Sequence, residues 1–261
     1  MILIALAAES PAQSPSKREQ DLKQLARLQS EFLKDQQQAR AAAGAQFDTL
    51  VNEMSKKPNI GGSERASLVR KWTDEKERFL KYEELQPHAD LADLAIEYGF
   101  RVSDQYRPLG KRYDLLIGET LRLGENKSAD QMLSDKEQFE RAHLAGRREF
   151  ATGTVWQGTR QNRANTVPFR LAVHNVTGDV FQGRVDINGP VTDHPAFEVR
   201  GLIDGTRLQI STGRQLQGKP EQFNMEGVVI GKSIFLRMAG VKARRGGGAR
   251  PAGGFIVASK K

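Results

Sequence analysis

Two periodicities divide the chain. From Ser16 to about Met54 the apolar residues recur every three or four places: Leu22, Leu25, Leu28 and Phe32, then Ala39, Ala43, Phe47, Leu50 and Met54, with a gap over Gln36, Gln37 and Gln38. This spacing lays one apolar stripe along a charged helix. Asn59, Gly61 and Gly62 end it, and Ser63 suits the N-cap of a second helix carrying Leu68, Val69, Trp72, Phe79 and Leu80. Beyond Pro87 the pattern predicts a short helix with Leu91, Leu94, Ala95 and Tyr98 on one side and Gly99 as its C-terminal cap. Another is expected with Pro108 in its first turn, running through Leu109, Tyr113, Leu116, Ile117 and Leu121 to Gly124. A last helix from Ser128 presents Met132, Phe139 and His143 to the others. Four or five antiparallel helices form a bundle. The long first stripe also suits a seam with another chain, so self-association through this helix is a second expectation.

After about residue 150 the period falls to two. FEVRGLIDGTRLQI from Phe197 and FNMEGVVIGKSIFL from Phe223 share their apolar and glycine positions at an offset of 26 residues. One hairpin unit is therefore used twice. With Asp204-Gly205 at the first turn, Gly201 pairs with Leu208, Val199 with Ile210 and Phe197 with Thr212. With Ile230-Gly231 at the second, Gly227 faces Ile234, Met225 faces Leu236 and Phe223 faces Met238. An earlier hairpin, connected by Val176, Thr177 and Gly178, pairs Val173 with Phe181, Leu171 with Gly183 and Phe169 with Val185. A strand glycine opposite a bulky residue relieves crowding on a curved inner surface, and Phe169, Phe181, Phe197 and Phe223 all point inward in this register. Adding strands at Val155-Trp156 and Phe255-Ile256-Val257 gives eight in sequence order. The expected fold is α+β in two domains, an antiparallel helical bundle over 16–150 and an eight-stranded antiparallel meander barrel over 151–261.

The eight-stranded meander, opened by TGTVWQG with Trp156 near the start of its first strand, resembles the calycin group of barrels, which includes the lipocalins. Gly153 and Trp156 are three apart, whereas lipocalins place Gly and Trp two apart at that point. The resemblance covers residues 152–259 and implies the barrel fold with an apolar cavity. It implies no activity.

Charge sharpens the division. Residues 1–150 carry 24 Lys and Arg against 25 Asp and Glu, whereas residues 151–261 carry 16 against 7, so the net charge of +8 belongs to the β half. Such a balance favours anionic partners. Cysteine is absent, which removes disulfides, thiolate chemistry and Cys-bound metals. The opening MILIALAAESPAQSPS resembles the apolar core and small-residue cleavage zone of a secretory signal, so residues 1–15 are assigned to a partial signal segment and linker, and the protein is expected to be exported to a periplasmic or extracellular site. Its apolar run is far shorter than the ~20 residues of a membrane span.

Candidate chemistry is sparse. His88, His143, His174 and His194 show no ligand spacing, so no metal and no cofactor is expected. His194 beside Asp193 in VTDHPAF reads as a turn, and His88 after Pro87 as a helix-start residue. Glu83, Glu84, Asp90 and Asp93 read as a solvated face, since acid-base work needs a pair gathered in a cleft. No nucleophile elbow or phosphate-binding glycine loop is present, and no catalytic residue is assigned. One segment stands out. VKARRGGGARPAGG places Lys242, Arg244, Arg245 and Arg250 among five glycines before the last strand, a loop at one end of the barrel able to pair with anions. The expected function is a non-catalytic binding or structural protein of the cell envelope. Alternatives are a carrier of a small apolar ligand in the barrel, and a binder of an anionic polymer through the basic barrel face and the Arg-Gly loop.

Overall fold

The computed structural model describes residues 17–56, 61–144, 149–161, 166–187, 196–217, 223–241 and 254–261. Four helices precede eight strands: α1 (Lys17–Lys56), α2 (Gly62–Tyr82), α3 (Ala92–Arg122) and α4 (Asn126–His143), with a single 3-10 turn at Ala89–Leu91 leading into α3. The strands are β1 (Val155–Gln161), β2 (Thr166–Thr177), β3 (Val180–Ile187), β4 (Ala196–Asp204), β5 (Arg207–Gln217), β6 (Phe223–Ile230), β7 (Ser233–Val241) and β8 (Phe255–Lys260). Each strand pairs with its sequence neighbour, and β8 closes on β1 to make an antiparallel barrel. The fold is α+β, as the two periodicities predict.

Helix α1 packs antiparallel to both α2 and α3. Asp48 meets Lys76 of α2 at 2.7 Å, and Gln46 meets Glu97 of α3 at 3.1 Å near one end while Arg18 reaches Glu125 at 2.8 Å near the other. The apolar stripe is spent on these contacts: Leu25, Phe32, Ala39, Ala43, Phe47 and Met54 are buried, although Leu22 is exposed. α4 returns along α3, with Lys136 reaching Asp114 at 2.5 Å and Tyr106 donating to Glu140 at 2.5 Å.

Two helix boundaries differ from expectation. α3 runs unbroken through Gly99 and Pro108, where two helices were expected. Gly99 is a site of close approach instead of a cap, because a Cβ there would lie 2.4 Å from Val228 Cγ1 of β6. Packing against the barrel outweighs the helix-breaking tendency of the two residues. Helix α2 takes Gly61 as its N-cap, with no side-chain hydrogen bond, so Ser63 lies inside the first turn.

All three expected hairpin registers shift by two places. The turns are Gly178-Asp179, Gly205-Thr206 and Gly231-Lys232, with glycine first at φ +57°, +64° and +54° and no positive φ at the second residue. That combination is the requirement of a II′-type turn, which matches the twist of the flanking strands. Gly201 therefore faces Ile210 and Val199 faces Thr212; Gly227 faces Leu236 and Met225 faces Met238. In the first hairpin Val173 faces Gly183, Leu171 faces Val185 and Phe169 faces Ile187, with a bulge between Val173 and Asn175. A two-place shift keeps every side chain on its face. The inward set is accordingly as expected for Phe169, Phe181 and Phe197, all buried, while the Phe223 side chain lies outside the described residues. Gly201 gives room to Phe181, whose Cε1 would lie 2.1 Å from an added Cβ.

Two apolar clusters result. One lines the barrel interior, from Phe150 and Trp156 through Phe169, Phe181 and Phe197 to Leu236 and Ile256. The other contains the helix interior together with Val228, Ile230, Phe235 and Val257 from the outer wall of β6, β7 and β8. Those strands are buried on both faces, which is why VVI, IFL and IVA read as continuous apolar runs where alternation marks the rest of the barrel.

Candidate binding site

The barrel has two unlike ends. At one end the chain reverses in the three two-residue turns, and the helical half packs on those at Gly205 and Gly231 while the Gly178-Asp179 turn is exposed. Thr206 donates to Gly99 O at 2.7 Å, and Ser103 Oγ of α3 accepts from the Thr206 and Arg207 amides at 3.1 and 3.0 Å. Ser233 donates to Leu85 O at 2.6 Å, and the Arg207 guanidinium lies 4.3 Å over the Phe100 ring. Phe150 seats itself in this end, 5.8 Å from the Trp156 ring and 4.7 Å from the Phe181 ring. Trp156 Nε1 is buried there without a hydrogen-bond partner among the described residues.

At the opposite end the strands are joined by residues 162–165, 188–195, 218–222 and 242–254. Lys242, Arg244, Arg245 and Arg250 belong to the last of these connections, and His194 to the second; all five lie outside the described residues. The ends of β7 and β8 fix where the Arg-Gly segment is attached: it leaves the barrel after Val241 and rejoins it at Phe255, on the end remote from the tight turns.

The strand topology reveals a distribution of charge that no single segment shows. The four connections carry six basic residues, Arg163, Lys219, Lys242, Arg244, Arg245 and Arg250, against two acidic ones, Asp193 and Glu221. The three tight turns carry Asp179 and Lys232 alone. On the wall, cations meet carboxylates: Arg170 and Arg184 flank Asp186 at 3.3 and 2.7 Å, Arg237 reaches Asp93 at 2.8 Å, and Lys260 reaches Glu149 at 2.9 Å. Arg160 occupies an inward register near the loop end, opposite Val167 on one side and Ile256 on the other. Its position follows from the period of two counted from Trp156, a signal the sequence held.

A second polar centre lies inside the helical half. Arg40 Nη2 is 2.7 Å from Glu83 Oε2, Gln36 Nε2 donates to Glu83 Oε1 at 3.1 Å, and the Tyr98 hydroxyl donates to the same oxygen. Burial, then the neighbouring Glu83 charge, pushes the Tyr98 phenol far above its ordinary pKa, so it remains a donor. Burial opposes the charge on Arg40, but Glu83 more than offsets it and raises its pKa. Glu83 is thus a partly buried ion-pair partner and not part of a solvated face. Tyr98 also forms the floor of a 310 Å³ groove between α1 and α3, with Ala39 and Ala43 beside it and Glu97 and Arg101 at its rim. His88 accepts from the Asp90 amide at 3.3 Å and caps the 3-10 turn, as expected of a helix-start residue.

Among the described residues no group of three or more His, Cys, Asp and Glu is arranged to hold a metal, and no helix is long and apolar enough to cross a membrane. These features define a closed eight-stranded barrel docked by its outer wall and tight-turn end onto an antiparallel helical bundle, with its longer connections at the opposite end. No family model matches the chain, and no curated protein is similar to it.

Proposed function

We propose that the protein is an exported, non-catalytic binding protein of the cell envelope, which holds an anionic polymer at the loop end of its barrel. The observation that carries this reading is the segregation of charge: six basic residues against two acidic ones in the connections at one end, while Arg170, Arg184, Arg207 and Arg237 of the wall are paired with carboxylates. Loops on a rigid scaffold are where binding residues concentrate, and arginine pairs with phosphate, sulfate or carboxylate in bidentate geometry. The likeness to calycins extends to the closed barrel. Large side chains, Trp156, Phe181, Phe197 and Leu236 among them, pack the inward face in one cluster, and this favours surface binding over carriage of an apolar ligand.

Titrating the full chain with polyphosphate at salt from about 50 to about 200 mM tests the reading, because neutralising phosphates releases counterions and makes affinity fall steeply with salt. The slope of log K against log salt is expected to drop by about 2 when Arg244, Arg245 and Arg250 are changed to Ala, at roughly 0.7 for each lost contact to a single-stranded polyanion. Salt-independent binding, or no change in the triple variant, would overturn it.

A further inference from the structure

Glu83 carries a contradiction between backbone and side chain. Its φ of 54° and ψ of 35° place it in the left-handed region, the one non-glycine among the described residues with positive φ. This is the position after a helix where glycine is favoured, and a side chain there is strained. The structure explains why glutamate occupies it. Its carboxylate gathers Arg40 and Gln36 from α1 and Tyr98 from α3, so the strained backbone is held by three partners on two other helices.

The same few residues touch the barrel. A Cβ at Gly231, the first turn residue between β6 and β7, would lie 3.2 Å from Glu84 Cγ and 3.6 Å from Glu83 O. Two residues on, Leu85 O accepts from the buried hydroxyl of Ser233, the first residue of β7. The Gln86 amide then donates to Glu75, a buried carboxylate of α2 that also pairs with Arg78 at 2.9 Å. Between α2 and α3 the chain therefore faces two ways, with the Glu83 side chain in the bundle and the backbone on the hairpin tip.

From this we infer that residues 83–88 are a conformational strap: the Glu83 carboxylate holds them in a strained path that clamps the β6–β7 hairpin, and release of that carboxylate loosens the hairpin. The bundle's polar centre and the barrel tip are two ends of one element, so a contiguous run of contacts joins them. The groove over Tyr98 gives the coupling an entry point, since whatever displaces Tyr98 removes one of the three partners of Glu83.

Hydrogen exchange on the full chain tests the strap with Glu83→Gly and Glu83→Gln. Glycine removes the backbone strain together with the carboxylate, whereas glutamine keeps the shape and removes the charge. Both are expected to speed exchange at residues 229–235 by about tenfold, the opening expected when one charged hydrogen bond is lost, while residues 169–173 and 181–185 exchange as in the wild type. A hairpin that exchanges no faster in Glu83→Gly shows the residue to be a strained cap and overturns the proposal. If that variant fails to fold, Glu83→Gln decides by the same criterion. Ser233→Ala probes the strap from the barrel side and should speed exchange at 84–88; unchanged rates there would equally refute it.

Discussion

Single residues show how far local chemistry can be read and where it is overruled. His88 and His143 are both partly buried, and burial lowers the pKa of each imidazole below its ordinary value, more than the nearby carboxylates raise it. The folded protein then binds these protons less readily than the unfolded chain. Stability is full above the ordinary histidine pKa of about 6.5 and is lost as pH falls through the lower folded values. The melting temperature should therefore decline between about pH 7 and pH 5, and His143→Asn should flatten part of that decline. An unchanged pH profile in this variant would mean that the ring, packed 4.6 Å from Phe139, does not feel its burial electrostatically. Glu83 illustrates the limit of sequence reading: beside Glu84 it has the pattern of a solvated face, and only the return of α1 and α3 supplies its partners.

At the scale of elements, the faces of the strands were legible and their exact pairing was not. Periods of two place Phe169, Phe181 and Phe197 inward whichever glycine-containing turn is chosen. The register depends on where glycine falls in the turn, and that choice lies in backbone torsion, which composition does not record. The division of α3 failed for a different reason. Gly99 and Pro108 are local break signals, but Gly99 is required by Val228 of the barrel, 129 positions away in sequence and in contact in space. Docking at this level has a measurable joint in Ser103, fully buried, which accepts from two amides of the β4–β5 turn. Ser103→Ala leaves both without that acceptor and should cost about 2 kcal/mol in denaturant unfolding, the penalty for stranding buried polar groups. A loss below about 0.5 kcal/mol would show that the turn amides find another acceptor.

For the whole molecule, the junction between the halves matters more than either periodicity suggested. Because the outer wall of β6, β7 and β8 belongs to the same apolar cluster as the helices, the halves are expected to unfold together. Trp72 in α2 and Trp156 in the barrel, both buried, report on each half separately. With the other tryptophan replaced by Phe, each should give the same denaturation midpoint; separated midpoints would show that the shared cluster does not couple them. The candidate site was legible in part: the Arg-Gly segment is plain in the sequence, but its convergence with Arg163 and Lys219 on one end follows only from the closed meander, in which alternate connections fall on the same side. Mapping amide shifts of the full chain on titration with polyphosphate tests that convergence. Perturbations are expected at Gln161, Thr166, Ile187, Ala196 and Phe255, where the strands enter the four connections, with the turns at Gly178, Gly205 and Gly231 unmoved. Perturbations centred on those turns, or spread evenly over the barrel wall, would contradict it.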